Sequence, residues 1–177
     1  PGLVEETMWQ QIIIGEPFGG SSARAESLVK LLTAAGCAAV SSSDVRSEIW
    51  YKLWGNMTMN PVSALTGATI DQILEDPLVR AFCSAAMREA AEVGARIGCP
   101  IEQTPEDRHE VSAKLGAFKT SMLQDVEAGR QLELAAIVTA VHEIARRLDL
   151  PTPNIDALLG LTRLFGRMRG LYPRGEN

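Results

Sequence analysis

From Asp44 to the C-terminus, apolar residues recur every three or four positions, and helix start and stop signals punctuate them at short intervals. A 3.6-residue period sustained that long commits the chain to several amphipathic helices burying their stripes against one another. Asp44 is a good N-cap for a first helix with Val45, Ile49, Leu53 and Met57 on its stripe. Pro61 disfavours helical backbone at Asn60, so this helix is expected to kink or break there. Asp76-Pro77 opens a long helix whose Leu78, Phe82, Ala86, Ala90, Val93 and Ile97 step along one face until Gly98 stops it. Thr104-Pro105-Glu106-Asp107 repeats the start signal, and Ser121 with Gln124 has the form of a capping box. The cleanest amphipathic stretch runs through Leu134, Ile137, Val138, Val141, Ile144, Ala145 and Leu148. After Leu150-Pro151-Thr152-Pro153, a last helix carries Ile155, Leu158, Leu159, Leu161, Phe165 and Met168. At least five helices therefore form one body.

Residues 1–43 follow a different pattern, β-α-β. Gln11–Ile14 is a short β-branched run closed by Gly15-Glu16-Pro17, and Cys37–Val40 is a second strand candidate. Between them Leu28, Val29, Leu31, Leu32 and Ala35 keep helical spacing, with Ser21 or Ser22 available as N-cap and Gly36 as the stop. Two strands and one helix cannot cover both faces of a parallel sheet. The stretch therefore reads as the end of an α/β domain, and a chain opening with Pro1 is compatible with a longer protein. The glycines here do not spell G-x-G-x-x-G, so Gly19-Gly20 is read as a plain loop.

Charge and cysteine usage narrow the function classes. Seventeen Lys and Arg against 22 Asp and Glu give a net charge of −5, against the concentrated basic face a nucleic-acid partner needs. No apolar run approaches the roughly 18 residues of a membrane span, and no charged-then-apolar leader opens the chain, so the reading is cytoplasmic. Cys37, Cys83 and Cys99 are odd in number and widely spaced, the usage of a reducing compartment. His109, in a charged Asp-Arg-His-Glu run, is expected to be solvated, His142 to lie on a helix flank, and no metal site is expected.

Three polar residues stand out on the first long helix. Lys52, Asn56 and Asn60 are spaced i, i+4, i+8, and each step of four advances only about 40° around the axis, so all three share one stripe. An ammonium can donate to, or protonate, a developing oxyanion, while a carboxamide both donates and accepts. Spacing alone favours a solvated helix face, where Lys and Asn usually sit. Ser121 could serve a carboxylate or merely cap its helix, and Glu133 could be a functional acid or only a first-turn carboxylate suited to the helix dipole.

The run Trp50-Tyr51-Lys52-Leu53-Trp54-Gly55-Asn56-Met57-Thr58-Met59-Asn60-Pro61, with Leu65 beyond it, resembles the signature that opens the C-terminal domain of ketopantoate reductases (2-dehydropantoate 2-reductases). Thr120–Asp125, then Gly129-Arg130 and Glu133, resembles that family's second signature at the same separation, and Ile14-Gly15-Glu16-Pro17 looks like the last strand of its nucleotide domain. The resemblance implies a mainly α fold: a helical bundle of the 6-phosphogluconate dehydrogenase C-terminal kind over residues 44–177, for substrate binding and dimerisation. Residues 1–43 would be the remnant of a Rossmann-type dinucleotide-binding domain. The implied activity is NADPH-dependent reduction of a 2-keto acid in pantothenate synthesis. Lys52 would be the general acid. Glu133 would lie at the cofactor–substrate junction, and Asn56, Asn60 and Ser121 would hold substrate oxygens. The family's G-x-G-x-x-G half is not in this chain, so the 177 residues are expected to bind NADPH weakly and to be inactive alone. A homodimer is expected. The rival readings are a related reductase acting on another keto acid, and a non-catalytic helical module for dimerisation or ligand sensing.

Overall fold

The structure is a computed structural model that describes residues 11–173, and it divides the chain into two units, Pro1–Trp50 and Tyr51–Asn177. In the first, β1 (Ile12–Gly15) and β2 (Ala39–Ser42) pair in parallel, Ile12 opposite Ala39 and Gly15 opposite Ser42, with α1 (Ala23–Ala34) as the crossover. Ser22 caps α1 by accepting from the Ala25 N–H at 3.2 Å. Gly36, at φ +89°, ends it, with the Cys37 N–H bonded back to the Leu32 carbonyl at 2.9 Å and the Gly36 N–H to Thr33 at 3.0 Å. This cap explains why the second strand starts at Ala39 rather than Cys37: the Cys37 amide is committed to closing the helix. Gly15 is needed at the end of β1 because a Cβ there would lie 2.5 Å from the Ser42 carbonyl oxygen.

All other described elements are helical, as the periodicity requires. α2 (Val45–Thr66) starts at Asp44, whose carboxylate accepts from the Ser47 N–H at 3.2 Å and hydroxyl at 2.7 Å. Of the kink or break expected at Pro61, the break does not occur: the helix runs on to Thr66 with Pro61 inside it. Pro61 forfeits one ladder hydrogen bond, but every residue from Met57 to Ala64 is buried, and that packing holds the helical path. The continuation leads into a short helix that the sequence reading did not anticipate, α3 (Ile70–Glu75), where the Gln72 side chain accepts from the Thr69 N–H at 3.0 Å.

α4 (Pro77–Arg96) begins where Asp76 accepts from Leu78 and Val79, at 2.9 and 3.0 Å. It ends at Gly98 (φ +81°), with Cys99 bonded back to Gly94 at 2.8 Å. α5 (Pro105–Ala113) carries a reciprocal Thr104–Asp107 cap. α6 (Ser121–Glu127) corrects one expectation: its cap is Thr120, which accepts from the Leu123 N–H at 3.2 Å, while Gln124 turns to the Lys119 carbonyl at 3.0 Å. The amphipathic stretch after Glu133 opens as a π-helical segment, Ala135–Thr139, and continues as α7 (Ala140–Arg147). α8 (Pro153–Met168) is anchored by Glu89 of α4, whose carboxylate accepts from the backbone of Asn154 (3.0 Å) and Ile155 (2.9 Å) and from the Asn154 amide (2.6 Å).

The core gathers Met59 and Val62 of α2, Ile70 and Ile73 of α3, Cys83 of α4 and Leu158 of α8. Not every residue on an expected stripe is inside: Leu78, Leu161 and Met168 are 81, 60 and 76% exposed. His109 overturns its assignment as solvated. It is 1% exposed on α5, and neither ring nitrogen has a hydrogen-bond partner among the described residues. Its neighbours Asp107 and Glu110 are exposed, Arg108 is half-buried against Tyr51, and the imidazole itself is buried in the protein. No helix among the described residues is long and apolar enough to cross a membrane.

Candidate active site

The stripe Lys52–Asn56–Asn60 lies on α2 as the spacing requires and runs from solvent into the protein: Lys52 is exposed, Asn56 half-buried and Asn60 6% exposed. The neighbouring faces of α2 are fixed. Trp54 donates its indole N–H to the Met87 carbonyl at 2.7 Å, tying α2 to α4 between the first two stripe residues. The Arg108 guanidinium of α5 lies 5.1 Å over the Tyr51 ring. Gly55 permits that approach, since a Cβ there would sit 2.5 Å from Arg108 Nε. Among the described residues no carboxylate pairs with the Lys52 ammonium. A cation on a rigid helix with carboxamides one and two turns deeper can bind a polar, oxygen-rich molecule end on.

Ser121 is the first residue of α6 and exposed. With Thr120 capping the helix, the Ser121 hydroxyl has no hydrogen-bond partner among the described residues. Glu133 is exposed, and its carbonyl accepts from the Ile137 N–H at 3.2 Å where the π-helical segment begins. Single π-helical turns recur at functional sites because the extra residue re-aims the side chains around it. No hydrogen bond joins any two of these five side chains among the described residues. Two open hollows of about 410 and 380 Å³ elsewhere on the helical unit are lined by none of them.

Several groups escaped the sequence reading. The Arg108–Tyr51 stack, the buried His109 and the Glu89 anchor of α8 join residues distant in sequence, and no local pattern announces them. The His142–Asp156 pair, 2.8 Å between Nδ1 and Oδ1, also links separate helices.

Comparison with known proteins bears on these residues. The family described as ketopantoate reductase PanE/ApbA C terminal matches residues 44–165. The 2-dehydropantoate 2-reductase of Mesorhizobium japonicum is 42% identical over 172 residues, 97% of this chain and 53% of the relative. A candidate ketopantoate reductase from Ralstonia solanacearum MolK2 superimposes with a TM-score of 0.88 at 56% identity, over 92% of this chain and 50% of that one. The 2-dehydropantoate 2-reductase of Methylococcus capsulatus gives 0.83 at 28% identity, over 89% of this chain and 51% of that one. The chain thus spans about half the length of the relatives it matches.

Proposed function

Because the chain belongs to the ketopantoate reductase family, matching its C-terminal domain over residues 44–165, we propose that it supplies the substrate-binding half of a reductase that converts a 2-keto acid to a 2-hydroxy acid. One observation carries the reading: the family match spans all five candidate residues, and three of them, Lys52, Asn56 and Asn60, form one stripe on α2 with the lysine at its open end.

The chemistry required of these residues follows from charge. When bound, NADPH supplies a hydride to the keto carbon. The chain's own residues must then manage the negative charge that builds on the keto oxygen. Lys52 donates a hydrogen bond to that oxygen and then its proton; a cation already in place needs no reorganisation as charge develops. Asn56 and Asn60 hold the remaining substrate oxygens and fix the distance to the ammonium. Ser121, free of capping duty, donates to the substrate carboxylate. By the family resemblance Glu133 lies at the cofactor–substrate junction, and its carboxylate is exposed with no ion pair among the described residues. It can accept from the nicotinamide carboxamide or orient Lys52.

The chain carries no G-x-G-x-x-G turn to cradle a pyrophosphate, so tight cofactor binding and turnover belong to the protein its complete gene encodes. That protein acts as a homodimer in the cytoplasm. Leu161, Leu164 and Met168, exposed at i, i+3 and i+7 on α8, offer an apolar strip for pairing. Assaying the complete protein with NADPH and ketopantoate beside other 2-keto acids tests the activity and names the substrate. Turnover of none of them would leave the non-catalytic module as the better reading.

A further inference from the structure

The hollow of about 410 Å³ on the helical unit lies between α7 and α8. Its size is at the small end of the range for small-molecule sites, about 300–1,000 Å³. Its lining is unusual for a chain of net charge −5. Arg146 and Arg147 reach it from the last turn of α7 and Arg163 from α8, against a single lining carboxylate, Glu143. None of the three arginines has an ion-pair partner among the described residues. Elsewhere Arg24, Arg88 and Arg130 each meet a carboxylate. Three arginines line one concavity with no ion-paired anion among the described residues, an arrangement that a bound anion can neutralise.

Two polar groups at the same hollow lack partners. His142 lines it, and Asp156 takes its Nδ1 at 2.8 Å while itself accepting from the Thr152 hydroxyl at 3.0 Å. That bond orients the ring and leaves Nε2 as the nitrogen with no partner among the described residues. Thr139, the last residue of the π-helical segment, also lines the hollow, and its hydroxyl is buried without a hydrogen-bond partner among the described residues. A buried hydroxyl left unpaired is costly, and a ligand oxygen would satisfy it. Leu159 provides one apolar wall.

We propose that this hollow binds a small phosphomonoester, its phosphoryl group held by Arg146, Arg147 and Arg163 with His142 and Thr139 completing the shell. Planar guanidinium forks suit phosphate oxygens, and a tetrahedral dianion has acceptors enough for all five groups, the imidazolium form of His142 donating from Nε2 while its Nδ1–H serves Asp156. A phosphoryl group suits three arginines better than a carboxylate because its dianion neutralises more of their charge and presents three terminal oxygens instead of two.

The test is calorimetric titration of the complete protein, at fixed pH and ionic strength, with inorganic phosphate and then glycerol 3-phosphate, using sodium chloride as the control. Arg163→Gln, Arg146→Gln and the double variant are titrated alongside, with circular dichroism melting to show that each folds. Binding of both phosphates and not of chloride is expected, weakened about tenfold by each single substitution and abolished by the pair. No binding of either phosphate, or equal binding by wild type and a folded double variant, would overturn the assignment. So would a double variant that changes sedimentation without changing phosphate binding, since the arginines would then face a second copy. Because Lys52 does not line this hollow, Lys52→Met must leave phosphate binding unchanged, which separates this result from failure of the proposed reductase chemistry.

Discussion

Trp54 donates its indole N–H to the Met87 carbonyl across 2.7 Å, and both residues are buried. This bond ties the helix carrying Lys52 and Asn56 to α4, the long helix at the centre of the bundle. Trp54→Phe keeps an aromatic ring but deletes the donor. The expected cost is about 1–2 kcal/mol in urea unfolding, with a larger proportional loss in kcat than in substrate KM, because the stripe loses its register before it loses its charge.

Glu89 does comparable work two residues beyond Met87 on α4. Its carboxylate receives two backbone N–H groups and the Asn154 amide at the start of α8, where the helix dipole favours negative charge. Glu89→Ala leaves those donors without their acceptor and should cost about 2 kcal/mol. Hydrogen exchange should speed up first in the opening turn of α8.

The helical body was legible because its punctuation is local. Asp44, Asp76-Pro77, Thr104-Pro105 and Gly98 act within a turn of themselves, and the structure uses each of them. Pro61 misled because its effect depends on what surrounds it: eight consecutive buried residues outweigh one missing ladder bond. His109 misled for the same reason, since flanking charges say nothing about which side of a helix faces inward. Within the candidate site, the shared face of the α2 stripe followed from spacing, whereas Ser121 and Glu133 stood out only by their places at helix starts and were joined to the stripe through family resemblance. Their relation to α2 is tertiary, and no periodicity encodes it.

Buried His109 should make stability depend on pH. Burial, reinforced by Arg80 and Arg88 and opposed by Glu106, holds its pKa below the ordinary 6.5. The folded protein therefore binds fewer protons than the unfolded chain. The stability is intact above pH 6.5 and falls as the pH drops below it, by at most about 1.4 kcal/mol per pH unit. His109→Leu should remove that limb. A separate loss belongs to carboxylates: Arg24 and Ser22 hold Glu16 down from 4.5 to about 2, and Asp44, Asp71 and Asp107 are lowered by their cap bonds. Their contribution is full above about pH 4.5 and disappears towards pH 2, a window that His109→Leu leaves untouched.

The three thiols should differ in reactivity. Burial pushes Cys83 up to about 12, and Cys99 is 3% exposed, whereas Cys37 is half-buried. Ellman's reagent should titrate one thiol quickly in the folded chain and three in urea. Rapid reaction of Cys83 under native conditions would contradict the packing around Met59, Ile73 and Leu158.

The most direct measurement of the central claim is the steady-state kinetics of Lys52→Met in the complete protein, with melting temperature and NADPH affinity measured on the same preparation. Lys52 is exposed and without an ion pair among the described residues, so the fold should be unaffected. If its ammonium protonates the keto oxygen, kcat falls by about 10²- to 10⁴-fold while melting temperature and cofactor affinity stay at wild-type values. A folded variant with kcat within about threefold of wild type would contradict that role for Lys52.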